Sequence, residues 1–256
     1  MTTTALPFEL HIIERQREEE LEEARAIQSM MLPAEMLQAG GVTVAHEFLP
    51  IASVGGDFVD YFQLSDESFG LYLGDVSGKG LPAALYAALA VGTLRGVHKT
   101  GTPPHDVLGT LNKRLMIRGM PRRHTAIQYA LFHPQISELQ VASAGMPGPL
   151  LISKEGCRIL EIHGIPPGLF AATKYETLSV RLEPGDTMLF CTDGITDAFN
   201  CAGEQFGLER LKEECEAAKG EAPAVLLKRV FAAVAEFSNG REQHDDMAAA
   251  VFHFLG

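Results

Sequence analysis

Positive charge is scarce in this 256-residue sequence: 21 Lys and Arg stand against 33 Asp and Glu, for a formal net charge of −12. Nucleic acid and anionic membrane surfaces are bound through clustered bases, so neither is an expected partner. Cysteine is sparse too. Cys157, Cys191, Cys201 and Cys215 form no C-x-x-C pair and no small-domain spacing, which argues against a disulfide framework or a structural zinc site and fits a reducing cytoplasm. The opening residues, MTTTALPFEL, lack both a basic n-region and an apolar h-region, so no signal peptide is expected. The most apolar run, LPAALYAALAVGTL at 81–94, falls short of the roughly 20 residues that span a bilayer and reads as a buried helix. What remains is 46% apolar and 21% charged residues, enough for the core of one large domain or two small ones in a soluble, cytoplasmic chain.

Residues 9–33 differ from the rest. The stretch 14–25 reads ERQREEELEEAR, good helix formers with no Gly or Pro before Pro33. Leu10, Ile13, Leu21, Ala24, Ile27 and Met31 make a sparse apolar stripe at helical spacing. Such a helix is either a solvated surface element or a short coiled coil that pairs two chains or receives a signal. With fewer than three good heptads, pairing on its own strength would be weak.

After Gly40-Gly41 the pattern turns strand-like, at 42–45, 58–64 and 69–73, where Phe69, Leu71 and Leu73 share one face. Helical stretches follow at about 80–98 and 104–118. Alternation returns at 126–132, 138–142, 149–153, 157–162, 177–182 and 187–192, then helices at about 207–218 and 223–238, and a last strand at 247–254. Hairpin-length links between strands, with helices grouped together, predict an α+β fold of antiparallel sheets and not βαβ winding.

Four acidic signatures sit at expected strand ends: Gly55-Gly56-Asp57-Phe58, GDVSGKG at 74–80, Cys191-Thr192-Asp193-Gly194, and His244-Asp245-Asp246-Met247. A lone Asp beside Gly is ordinarily a turn, and Asp66 and Asp186 read that way. The four share a strand followed by a small-residue loop, a context that can aim carboxylates into one cleft. Gathered there they would repel one another unless cations sat among them, and hard oxygen donors suit Mg²⁺ or Mn²⁺. Other chemistries lack their residues. Gly78-Lys79 belongs to a loop one residue too short for a phosphate-binding P-loop and without its Ser/Thr. Ser77 and Ser143 lack a G-x-S-x-G elbow. The nine histidines form no H-x-x-x-H pair, and His244 alone lies beside a signature. Cys191 reads as a packed strand residue.

In order along the chain stand Ala24-x-x-Ile27-Gln28-x-x-Met31-Leu32-Pro33, Val54-Gly55-Gly56-Asp57-Phe58-x-x-Tyr61, GDVSGKG with Ala83-Ala84, Thr192-Asp193-Gly194-Ile195-Thr196-Asp197-Ala198, Phe206-Gly207-x-Glu209-Arg210-Leu211, and Asp245-Asp246-Met247. This set resembles the SpoIIE/RsbU-type branch of the PPM metal-dependent serine phosphatases, over about residues 24–254. The resemblance implies an αββα sandwich, two antiparallel sheets flanked by helices, in a phosphatase domain at 34–256 preceded by a regulatory segment at 1–33. It implies two divalent cations, Mn²⁺ or Mg²⁺. Asp75 would bridge both, the Val76 carbonyl and Asp57 would complete one set, and Asp193 and Asp245 would hold the other. Asp246 is the second choice if the register slips by one. A water or hydroxide between the metals would then attack a phosphoserine.

The implied substrate is a phosphorylated anti-sigma-factor antagonist or similar partner-switching protein. In the family, the helix ending with Ile27, Gln28, Met31, Leu32 and Pro33 acts as a switch that arranges a metal ligand. Almost nothing precedes it here, so a separate sensor or activator protein, or a second copy of the chain, is expected to engage residues 9–33. The sequence departs from the family pattern at Ala144-Gly145-Met146, where Ala-Gly-His is common, and at Ala248, where Thr is common. Two alternatives remain: a degenerate PPM-fold binding module without turnover, and a cyclic-dinucleotide synthase resting only on Gly55-Gly56-Asp57-Phe58, without the further acidic residue its signature requires.

Overall fold

The structure is a computed structural model that describes residues 5–64, 67–97, 101–117, 119–120 and 123–256, with side chains of the first helix described from His11 onward. Asp66 lies outside the described residues. Two antiparallel sheets form the centre. From edge to edge, the six-stranded sheet comprises β1 (Met36–Ala39), β2 (Val42–Leu49), β11 (Met247–Phe254), β10 (Thr187–Cys191), β7 (Leu150–Ser153) and β8 (Gly156–Ile159). The five-stranded sheet comprises β3 (Phe58–Gln63), β4 (Phe69–Val76), β5 (Thr125–His133), β6 (Glu138–Ala144) and β9 (Leu178–Arg181).

Strand alternation assigns each side chain to a layer. On β11, Ala248, Ala250, Phe252 and Phe254 enter the core between the sheets, while Met247, Ala249 and Val251 face the helices behind. On β4, Phe69, Leu71 and Leu73 point inward as expected, and Tyr72 and Val76 point outward. The inner core closes on Phe132, whose ring lies 5.1 Å from that of Phe252 and 5.0 Å from that of Phe254. Helices α2 (Leu81–Val97) and α3 (Pro104–Met116) cover the five-stranded sheet, and α5 (Gly207–Ala217) and α6 (Pro223–Ser238) cover the other. The result is the αββα sandwich, with the N-terminal helix α1 (Ala5–Ser29) in front of it.

Helix α2 departs from the reading of 81–94 as wholly buried. Ala83, Ala84, Tyr86, Ala87, Ala90, Val91 and Leu94 face the sheet, whereas Leu81, Leu85 and Leu89 are 45%, 65% and 41% exposed. Alanines on the inner face let the helix approach the sheet closely, which turns the bulkier leucines outward. Helix α1 also differs from expectation. It ends at Ser29, so Met31, Leu32 and Pro33 lie in the turn beyond it, and residues 11–20 are exposed throughout. Its docked face is Leu21, Ala24 and Gln28, while Ile13 and Ile27 point to solvent. The side chain of Leu10 lies outside the described residues. Strand β1 was not anticipated. Gly40 and Gly41, at φ 53° and 75°, form a two-residue hairpin turn that pairs Ala39 with Val42. No described helix is long and apolar enough to cross a membrane.

The α2 packing makes a paired prediction. Leu85→Gln should change the unfolding free energy by less than about 0.5 kcal/mol. Ala87→Leu, on the inner face, should cost about 1–3 kcal/mol through overpacking. Urea titration of both variants checks the assignment of the two faces.

Candidate metal centre

Each sheet brings two of the four aspartates to the same end of the sandwich. β3 and β4 pair Phe58 with Gly74, and continuing that register by one residue sets Asp57 opposite Asp75. β4 runs on through Val76, because β5 continues to pair with it at Asp75↔Ala126 and Val76↔Thr125. Asp75 is therefore a strand residue and not, as the sequence suggested, part of a loop that follows a strand ending at Leu73. In the other sheet, β10 pairs Cys191 with Ala249. Asp193 follows β10 as the first residue of the single-turn helix α4 (Asp193–Thr196), and Asp245-Asp246 lead into β11.

The carboxylates feel one another across the seam between the sheets. Burial, then the charges of Asp193, Asp245 and Asp246, push the Asp75 carboxyl up to about 7, partly offset by its hydrogen bond with Asp57. Burial, reinforced by Asp75 and Asp246, holds Asp57 well above the usual carboxylate range, and a hydrogen bond from Thr192 opposes that rise. Asp193 is raised by burial and by Asp197 and Asp245. Four carboxylates with the Val76 carbonyl are a hard-oxygen donor set of the kind Mg²⁺ and Mn²⁺ take. Among the described residues, however, no three His, Cys, Asp or Glu side chains already converge closely enough to hold a metal ion. Repulsion among buried like charges opposes that convergence in a metal-free site.

The two candidates at the double aspartate differ in occupation. Both Asp246 oxygens accept backbone amides, from Ile51 at 2.8 Å and Gly56 at 2.6 Å. Asp246 is 3% exposed and anchors the loop that carries Asp57. Two glycines keep that packing possible: a Cβ at Gly55 would lie 2.4 Å from Asp246 Oδ2, and one at Gly194 would lie 1.8 Å from the Asp246 carbonyl oxygen. Asp245 is half-buried, with Oδ2 3.3 Å from Lys79 Nζ at the mouth of the centre. His244 packs edge-on against Phe199, ring centroids 5.3 Å apart. Asp186 caps a turn by accepting the Glu183 amide at 2.8 Å.

Of the five switch residues, Gln28 reaches this site most directly. Its side-chain amide donates to the Gly55 carbonyl at 2.7 Å and accepts the Gly55 N–H at 3.1 Å, two residues before Asp57. The Met31 carbonyl accepts Arg95 Nη2 at 2.6 Å, and Arg95 Nε donates to the buried Asp60 at 2.8 Å. Tyr61 Oη donates to the carbonyl of Ala34, just past Pro33. Leu32 packs against the inter-sheet core. Ile27 is 58% exposed and takes no part in these contacts. Met146 and Ala248, the two departures from the family pattern, are both buried in the core between the sheets. Sequence reasoning passed over Thr192, Arg95, and the anchoring role of Asp246. The first two make their contacts only after folding, and Asp246 was weighed only as a ligand.

A family model described as Stage II sporulation protein E (SpoIIE) matches residues 65–255. The fold is that of the PP2C-type phosphatases. It is similar to the SiaA PP2C domain of Pseudomonas aeruginosa, with TM-score 0.83 and 21% identity over 94% of this chain and 98% of that one. It is also similar to the phosphatase domain with a regulatory fragment of SpoIIE from Bacillus subtilis, with TM-score 0.75 and 16% identity over 85% and 64%. The chain belongs to the SpoIIE family, in the SpoIIE/RsbU-type branch of the PPM phosphatases. It is 26% identical to phosphoserine phosphatase RsbU of Bacillus subtilis, over 93% of this chain and 71% of that protein. It is 27% identical to Protein IcfG of Synechocystis, over 89% of this chain but only 40% of that protein.

The raised Asp75 carboxyl has a stability consequence. Between about 3.8 and about 7 the metal-free folded state holds a proton that the unfolded chain has released. Stability falls with rising pH wherever the folded state binds more protons. The penalty is absent below that window, grows through it and is complete above it. In chelator, Asp75→Asn should therefore gain Tm relative to wild type as pH rises across the window. A constant difference in the two melting curves would remove the raised carboxyl from the account.

Proposed function

We propose that this chain is a metal-dependent serine/threonine protein phosphatase, acting on phosphoserine in a partner-switching signalling protein of the anti-sigma-factor-antagonist kind. What supports the reading is the placement of Asp57 and Asp75 at the end of one sheet and of Asp193 and Asp245 at the adjoining end of the other, where burial and the neighbouring charges raise the Asp75 carboxyl to about 7. Asp57, Asp75 and the Val76 carbonyl would hold one cation, and Asp75, Asp193 and Asp245 the second, with Asp246 kept as the loop anchor. Bound Mg²⁺ or Mn²⁺ supplies charge neutralisation at the phosphoryl oxygens and a lowered pKa for the attacking water.

The chain's own groups prepare that chemistry. Burial raises both the Asp57 and the Asp75 carboxyl, so protons they hold without a cation must leave before both act as anionic donors. Lys79, paired with Asp245, is a cation at the entrance that an incoming phosphoryl group meets. Burial pushes the Cys191 thiol up to about 12, which keeps it neutral and unsuited to nucleophilic attack. The similarity to RsbU, a phosphoserine phosphatase, supports the substrate class. The fold is also similar to 60% of the structure of the RsbU and RsbW domains of Rv1364c from Mycobacterium tuberculosis, which supports a signalling context.

A second reading, a PPM-fold binding module without turnover, is favoured by one observation: no three acids among the described residues stand ready to hold a cation. A phosphoserine peptide assayed with Mn²⁺ separates the two. Wild type should turn over, and Asp75→Asn should lose at least about 100-fold in kcat/KM, since removing mere supporting partners of metal ligands already costs about 10–100-fold. Equal inertness of both proteins on a phosphoprotein substrate would favour the binding module.

The regulatory part of the proposal is that a separate activator, or a second copy of the chain, engages residues 9–33. The exposed first half of α1 offers the grip, and the Gln28–Gly55 amide pair carries the effect to Asp57. Deleting residues 1–22 should leave basal phosphatase activity within about twofold and abolish its response to the partner. A deletion variant that still responds would refute this route.

A further inference from the structure

We propose that Thr192 is a positioning residue for Asp57: its hydroxyl fixes which carboxylate oxygen Asp57 turns toward the centre. The inference rests on the metal-dependent reading above. Thr192 is fully buried, and its Oγ1 makes three close approaches. The Ala248 N–H donates to it at 2.9 Å. It lies 2.8 Å from Asp57 Oδ2 and 3.3 Å from the Ala248 carbonyl oxygen. A hydroxyl has one proton and two lone pairs. With the Ala248 amide on a lone pair, the proton must go to one of the two oxygens. The Ala248 carbonyl already accepts the Thr192 amide at 2.9 Å, and the carboxylate is both nearer and the stronger acceptor. The proton is therefore committed to Asp57 Oδ2.

That commitment has a geometric result. Thr192 is held by hydrogen bonds to the Ala248 backbone on the six-stranded sheet, whereas Asp57 directly precedes β3 of the five-stranded sheet. The hydroxyl thus ties one sheet's aspartate pair to the frame of the other. With Oδ2 pinned, the carboxylate cannot rotate, and Oδ1 is the oxygen left to face Asp75 and a cation. Asp57 is 3% exposed, so no bulk water stands by to replace the bond. The β-branch of threonine restricts χ1 and holds the hydroxyl on this line.

The rival account is that Thr192 only satisfies the Ala248 amide and closes the β10–β11 pairing. Thr192→Val keeps the shape and removes the hydroxyl; Thr192→Ser keeps the hydroxyl and removes the methyl. Calorimetric titration of the metal-free proteins with Mn²⁺ reads the difference directly, apart from turnover. Thr192→Val should bind about 10- to 100-fold more weakly than wild type, and Thr192→Ser within about threefold of it. In an Asp57→Asn background, Thr192→Val should add no further loss of Mn²⁺ affinity, because the residue acts through that carboxylate. If Thr192→Val does not fold, Thr192→Ala carries the same comparison.

Wild-type affinity in the folded hydroxyl-free variant, or an equal loss in Thr192→Ser, would overturn the inference while leaving the phosphatase reading intact. Absence of Mn²⁺ binding by wild type would overturn both.

Discussion

Mutual repulsion among buried aspartates, where the ends of two β-sheets meet, is the constraint around which the molecule is arranged. Two of the four carboxylates come from each sheet. Packing through Phe132, Phe252 and Phe254 keeps the sheets together and so forces the two pairs into one another's field. Apolar burial thereby sustains an electrostatic arrangement that would disperse in a looser protein. The chain meets that field with fixed partners: two backbone amides on Asp246 and the Thr192 hydroxyl on Asp57.

These partners form a chain of contacts that joins elements far apart in sequence. Gln28 holds Gly55, the Gly56 amide is held by Asp246, and Asp57 is held by Thr192, which is itself held by Ala248. Nearly every link is a backbone group meeting a side chain. Residue identity at the contact is therefore demanded on one side only, and the other side demands small size, as at Gly55 and Gly194.

Much of this was legible in the sequence. Alternation gave the strands, because a strand between a core and a helix layer must change face at every residue. The last strand, Met247–Phe254, matches its expected bounds. The α+β architecture with antiparallel sheets followed from the spacing of those runs. The placement of Asp57, Asp75, Asp193 and Asp245 at or beside strand ends was legible as a repeated context. What eluded sequence reasoning was orientation. In α2, Ala83, Ala84, Ala87 and Ala90 face inward while Leu81, Leu85 and Leu89 face outward, opposite to the order of hydrophobicity, because close approach to the sheet decides. In α1 the polar Gln28 is the buried member, and Ile27 is not, because two amide hydrogen bonds outweigh one apolar contact there. Strand β1 was missed because Gly40-Gly41 reads as a break as readily as a hairpin turn. Thr192 and Asp246 stand next to more conspicuous aspartates, and only the fold reveals what their oxygens touch.

Helix α1 runs for 25 residues, about 37 Å at 1.5 Å per residue, and among its described side chains those from His11 to Glu20 are exposed, the first half-buried one being Leu21. Mechanically such a helix is a lever, with an exposed arm at residues 11–20 and a seated one at Leu21, Ala24 and Gln28. Its fulcrum lies near the amide pair of Gln28 and Gly55. A modest sideways load at the tip is multiplied at that pivot, and a hydrogen bond loses most of its strength within about an ångström of stretch. A partner that gripped the exposed stretch, as proposed above, would act at Gly55 with the advantage of that arm.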